Sequence, residues 1–169
     1  KRQMENFKKA AKAKEQRNRR IDTPVYPTDK WHYTDDNSAP GAFKGWVFQD
    51  SDLYKWIEAA SYSLQNRPDK ELEKAVDNAI ELIGKAAEND GYCDTLYTIN
   101  NPSARFENLR DFHELYCFGH LAEAACAHFN VTGKRTLLDI AARFADLICE
   151  VFGENGKGKM EGTHEREPI

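Results

Sequence analysis

No run of 18 apolar residues occurs in the 169-residue sequence, so no segment reads as a membrane-spanning helix. No secretory leader is recognisable either. The chain opens on Lys1 instead of Met, so the native start is expected to lie elsewhere and the compartment stays undetermined. No cysteine pair stands in CxxC spacing: Cys93, Cys117, Cys126 and Cys149 are far apart, which argues against a zinc ribbon. Such cysteines are expected to be buried free thiols, because a free Cys packs as a small hydrophobe; this leans towards a reducing, cytoplasmic setting. Aromatic interleaving is missing from the basic N-terminal segment. Residues 1–20 carry nine Lys or Arg against Glu5 and Glu15, with Phe7 the one aromatic ring. The rest of the chain is acidic and would repel phosphate, so the basic segment is expected to be a solvated helix face and not a nucleic-acid or membrane contact.

What is present fits one soluble globular domain with a real core: 40% hydrophobic and 31% charged residues. Residues 1–49 combine a charged, helix-prone start with a loop punctuated by Pro24, Pro27, Pro40, Gly41 and Gly45. That loop carries Tyr26, Trp31, Tyr33, Phe43, Trp46 and Phe48, more aromatics than a free linker would hold. Residues 50–153 are helical. Ser51 or Asp52 caps a helix to about residue 65, with Leu53, Trp56, Ile57, Ala60 and Leu64 at helical spacing. Pro68 suits the first turn of a second helix that carries Val76, Ala79, Ile80 and Ile83 and stops near Asn89-Asp90-Gly91. Residues 91–107 read as a loop, 109–129 as one continuous third helix, and a turn at Thr132-Gly133 leads to a fourth helix ending at Phe152-Gly153. Residues 154–169, rich in Gly, Lys and Glu, read as a polar tail that is extended or disordered.

The two helix pairs repeat. A shift of 65 residues superposes Glu58-Ala59-Ala60 on Glu123-Ala124-Ala125, Leu72 on Leu137, and Leu82-Ile83 on Leu147-Ile148, and it also brings the two turns together. The architecture expected is therefore all-α, an array of αα-hairpins in a solenoid or a closed α/α toroid. Two hairpins are a slice of such an array, and each buries its faces against neighbours.

The densest chemistry lies in Asn108-Leu109-Arg110-Asp111-Phe112-His113-Glu114-Leu115-Tyr116-Cys117-Phe118-Gly119-His120-Leu121. On a continuous helix His113, Cys117 and His120 share one face. His113-Glu114-Leu115-Tyr116-Cys117 is one residue from the HExxH zinc-hydrolase pattern, with Cys in the second ligand position and Glu114 as the base. His120, among apolar neighbours, reads as a hydrogen-bonded core residue. Upstream, Asp90-Gly91-Tyr92-Cys93-Asp94-Thr95-Leu96-Tyr97-Thr98 sets rings beside carboxyl and hydroxyl groups, a combination that suits a carbohydrate or a packed turn. Asp52, Asp94, Asp111 and Glu114 are candidates for a carboxylate pair, though nothing in the sequence pairs them.

Asp50-Ser51-Asp52-Leu53-Tyr54-Lys55-Trp56-Ile57-Glu58-Ala59, the Asp90-Gly91-Tyr92 turn and the stretch from Asn108 to Cys117 together resemble glycoside hydrolase family 127, the β-L-arabinofuranosidase family. Gly119-His120-Leu121, Thr132-Gly133-Lys134-Arg135, Val151-Phe152-Gly153 and, upstream, Glu5-Asn6-Phe7 follow the same order. The resemblance implies part of an (α/α)6 barrel, an L-arabinofuranoside as carbohydrate substrate, and the remainder of the barrel as partner. It implies that His113 lines the sugar pocket and that His164, in Gly162-Thr163-His164-Glu165, is a second pocket histidine. Asp52, Tyr92, Asp94 and Glu114 complete the candidate substrate contacts, although Cys93-Asp94 departs from the family's usual Leu-Asn, and residues 12–42 resemble an insertion. The family's nucleophile is a zinc-bound cysteine far downstream. None of the four cysteines here matches it, so no catalytic residue and no zinc ligand is assigned to this chain. The rival readings are a non-catalytic helical-repeat interaction module and a zinc hydrolase built on His113, Glu114 and Cys117.

Overall fold

The computed structural model describes residues 2–15, 33–34 and 42–153. The tail with His164, and most of the proline-punctuated loop, lie outside the described residues. Helix α1 spans Arg2–Glu15, α2 Asp50–Asn66, α3 Lys70–Ala86, α4 Thr95–Asn100, α5 Leu109–Phe112, α6 Glu114–Thr132 and α7 Thr136–Phe152. A two-residue antiparallel ladder pairs β1 (Tyr33–Thr34) with β2 (Gly45–Trp46), Tyr33 facing Trp46.

The two hairpins, α2–α3 and α6–α7, match the 65-residue register closely, since α2 shifted by 65 falls within the bounds of α6 and α3 lands within one residue of α7. They pack side by side, α2 along α6 and α3 beside α7. On α2 the buried side is Leu53, Tyr54, Ile57, Ala60 and Ser61; on α6 it includes Leu121 together with Cys117, Ala124 and Ala125, and the small side chains of these last three let the helices approach. Burying each larger aliphatic side chain here contributes about 1.5–3 kcal/mol before the entropy of ordering is subtracted. Lys134, in the α6–α7 turn, ties the hairpins together with its ammonium 2.8 Å from Glu73 Oε1 and 2.8 Å from Asp77 Oδ2 on α3.

Helix α1 is solvated on one side only. Its Phe7 and Ala10 are fully buried in the common core, against α3 and α4. Lys14 Nζ donates to the Ala87 carbonyl just beyond α3, where a cation complements the helix dipole. Asn6 clamps the irregular segment leading to β2, donating to the Lys44 carbonyl at 2.8 Å and accepting from Lys44 N–H. Lys9 reaches the Ala42 carbonyl at 2.9 Å. These bonds seat Trp46 and Phe48 at the start of α2.

Several local expectations are corrected. Helix α2 starts at Asp50 with Gln49 as N-cap and no side-chain cap bond, so Ser51 and Asp52 lie inside the first turn. Asp69, not Pro68, opens α3: its Oδ1 accepts from the N–H groups of Glu71 and Leu72 at 2.9 and 3.1 Å. Residues 91–107 are not a plain loop; they hold α4 and a 3-10 turn at Pro102–Ala104, and residues 91–99 are all buried. Trp56 points outward despite its apolar spacing. Cys93 and Cys117 are buried free thiols as expected, whereas Cys126 and Cys149 are exposed. The third helix is broken at His113, which changes the site.

Candidate functional site

The break has a local cause. Asn108 caps α5, its Oδ1 accepting from Asp111 N–H and its amide donating to Asp111 Oδ2, both at 3.1 Å. Phe112 then anchors the short helix in the core. The chain turns through His113 in the left-handed region, φ 57° and ψ 30°, before α6 begins at Glu114. For a residue with a Cβ that conformation costs about 1–2 kcal/mol, so packing around the turn must hold it.

The turn delivers the half-buried His113 imidazole into a row of rings. Trp46 and Phe48 stack with centroids 5.9 Å apart, Phe48 lies 5.7 Å from His113, His113 5.8 Å from Tyr116, and Tyr116 4.7 Å from His120. The row crosses from the segment before α2 to the first two turns of α6, with Trp46 and Tyr116 exposed. Polar groups flank it. Lys55 Nζ donates to Tyr116 Oη at 2.7 Å and lies 5.0 Å from that ring's centroid. Gln49 Oε1 accepts from Trp46 N–H at 3.3 Å, and its amide donates to Asp52 Oδ2 at 2.8 Å. Aromatic faces, an imidazole, an ammonium and a carboxylate within one surface can stack on apolar sugar faces and grip hydroxyls.

Behind this wall lies a closed layer of acids and hydroxyls. Asp50 accepts from Thr95 N–H at 2.7 Å and from Thr95 Oγ1 at 2.6 Å. Burial outweighs those bonds and pushes its carboxyl up to about 6. Asp94 caps α4 through Tyr97 N–H at 3.2 Å. Its carboxyl is held well above the usual range by burial first and by the Asp50 and Glu114 charges next. Glu114 is fully buried, accepts from Tyr92 Oη at 2.5 Å and from Phe106 N–H at 3.1 and 3.0 Å, and is raised by burial to about 7. Burial likewise pushes the Cys93 thiol up to about 12, with Tyr54 Oη 3.5 Å from its sulfur, and lifts Cys117 well above its ordinary value.

The candidate residues thus divide. His113 and Asp52 lie at the exposed row or join it through Gln49. Tyr92, Asp94 and Glu114 are brought together in the interior. His164 lies outside the described residues. The shared helical face of His113 and Cys117 is corrected: His113 sits at a left-handed cap against Phe48 and Tyr116, while Cys117 is enclosed against α2 near Ser51. His120 is partly exposed at the end of the row, its Nδ1 2.9 Å from Glu123 Oε2, instead of being a core residue. Among the described residues no group of three or more His, Cys, Asp and Glu is placed to hold a metal. Trp46, Phe48, Lys55 and Tyr116 were not singled out from sequence as site residues. The aromatic loop was visible, but only the contact of α2 with α6 shows which of its rings meet His113.

Residues 1–167 match the model of the family described as β-L-arabinofuranosidase, GH127 catalytic domain. The chain belongs to this family. It is 43% identical over 125 residues to a non-reducing end β-L-arabinofuranosidase of Bifidobacterium longum subsp. longum, a match covering 72% of this chain and 19% of that protein. It superposes on a GH127 β-L-arabinofuranosidase from Geobacillus stearothermophilus T6 with TM-score 0.74 and 46% identity, over 95% of this chain and 21% of that one. A GH127 β-arabinofuranosidase superposes with TM-score 0.67 and 35% identity, over 92% of this chain and 22% of its own. The chain therefore spans about a fifth of the length of these GH127 relatives. Its hairpin array is the N-terminal part of an (α/α)6 barrel.

Proposed function

We propose that this chain is the N-terminal portion of a glycoside hydrolase acting on terminal β-L-arabinofuranosides and that it supplies part of the sugar-pocket wall. The observation that carries the reading is the row Trp46–Phe48–His113–Tyr116–His120, with His113 held in its middle by a left-handed cap. In this reading the imidazole of His113 bonds a sugar hydroxyl, Asp52 and Lys55 hold others, and His164 contributes a second imidazole. Tyr92, Asp94 and Glu114 support the wall from behind. The zinc-cysteine nucleophile comes from outside the four cysteines of this chain. Cys93 and Cys117 suit that division, because buried thiols with raised pKa values stay protonated and unreactive. The remainder of the barrel is the partner that closes the pocket.

The test uses the full-length protein. His113→Ala removes one or two imidazole hydrogen bonds to a sugar hydroxyl, worth about 1–3 kcal/mol, so kcat/KM on a β-L-arabinofuranoside is expected to fall roughly ten- to hundredfold. The melting temperature should barely change, since the ring is not enclosed in the core. Full activity in His113→Ala on every arabinofuranoside tried would overturn the site assignment. Stoichiometric zinc held by this chain and lost in His113→Ala would favour the zinc-hydrolase rival. Peptide or protein binding with no glycosidase activity in the full-length protein would favour the interaction module.

A further inference from the structure

The segment leading into α6 is bracketed by two residues in the left-handed region that are not glycine, Phe106 at φ 62° and His113 at φ 57°. Each opposes its own Cβ by about 1–2 kcal/mol, so a single side chain that satisfies both ends of the segment has a large influence on its shape. Glu114 is that side chain. It is the first residue of α6, where the helix dipole favours a carboxylate, and none of it is exposed. Its two oxygens accept the N–H of Phe106, eight residues back, at 3.1 and 3.0 Å. Oε1 also takes the Tyr92 hydroxyl at 2.5 Å. Tyr92 in turn presents its ring to the Phe106 edge, centroids 5.4 Å apart, and is covered on a face by the Arg105 guanidinium at 4.1 Å. The carboxylate closes the chain between Phe106 and Glu114 into a loop, with Phe106 and Phe112 fixed in the core. His113, next to the closure, is held towards Phe48 and Tyr116.

We propose that Glu114 is a positioning residue: clamped to Phe106 N–H and Tyr92 Oη, its carboxylate fixes the left-handed turn and so sets the place of the His113 imidazole in the row. The proposal rests on the reading of His113 as a sugar contact. Glu114 touches no substrate in it and acts only through His113.

The experiment is a double-mutant cycle on kcat/KM, in the full-length protein, with 4-nitrophenyl β-L-arabinofuranoside as the probe. Glu114→Ala in the native background should lower kcat/KM about tenfold, by letting the turn relax and the imidazole leave its place. In the His113→Ala background the same change should cost less than about twofold, because the ring it positions is gone. Glu114→Gln, which keeps a carbonyl for Phe106 N–H, should restore most of the native-background loss. If Glu114→Ala does not fold, Tyr92→Phe removes one arm of the clamp at nearly constant volume and carries the same cycle. Equal losses in both backgrounds, or no loss in either, would overturn the proposal while leaving the sugar contact of His113 intact. Full activity in His113→Ala alone is the separate result that removes the sugar contact and the proposal with it.

Discussion

Gly91 and His113 both hold positive φ, at 93° and 57°, yet for opposite reasons. At Gly91 a side chain has no room: a Cβ there would lie 2.5 Å from the Arg143 carbonyl oxygen on α7, a backbone atom that cannot swing away. Gly91→Ala therefore adds a steric clash to the backbone strain. It should destabilise the protein by about 2 kcal/mol or more, read from urea or thermal unfolding. Gly133, at φ 71° in the α6 C-cap, has nothing within 4 Å of the same position, so Gly133→Ala carries the backbone strain alone, about 1 kcal/mol. Equal losses at the two glycines would show that the contact with α7 does not matter. His113 keeps its side chain in the same backbone region because the ring is placed outward. No glycine or proline marks the chain break there, so the spacing predicts a continuous helix over residues 109–129, and the face that His113 would share with Cys117 on such a helix is lost at the break. Asn108, by contrast, is a legible cap in an ordinary capping position.

At the scale of elements, most of the fold was written in periodicity. The 65-residue register fixes four helices and both turns within a few residues, because amphipathic spacing and turn chemistry are local properties. The helix that escaped is α4, whose six residues are too short for a helical period to show; α5 falls inside the helix expected over 109–129, and only its separation from α6 at His113 was not legible. The entry to α3 illustrates how local chemistry sets an end. Asp69 satisfies two of the free N–H groups of the first turn, whereas Gln49 makes no such bond at the start of α2. Asp69→Ala should thus lower stability by about 1 kcal/mol, seen as a drop in melting temperature. Asp69→Asn should be nearly neutral, because its side-chain oxygen accepts the same bonds. A neutral Asp69→Ala would mean that packing against α1 and α7 fixes the helix end without the cap.

At the scale of the whole molecule, the unexpected feature is the set of three carboxyls enclosed behind the aromatic row. Asp50, Asp94 and Glu114 come from three separate segments, so no spacing in the sequence could pair them; the packing of α2 on α6 and the docking of α4 bring them together. All three are held above their ordinary values, Asp50 to about 6 and Glu114 to about 7, with burial the leading cause. The folded state therefore binds protons more tightly than the unfolded chain, where these groups titrate near 4. By linkage, the stability they contribute is complete below about pH 4 and is lost as pH rises through about 6 to 7. Asp50→Asn tests this with the least disturbance, since an amide oxygen still accepts from Thr95. A neutral amide has no proton to lose, so the destabilisation caused by Asp50→Asn should be larger at pH 5 than at pH 8, where the native aspartate is charged and buried. Unfolding free energies of the two proteins at both pH values give the comparison directly. A difference that does not change with pH would mean that Asp50 titrates alike in the folded and unfolded chains, and that water or the rest of the barrel solvates the cluster in the full-length protein.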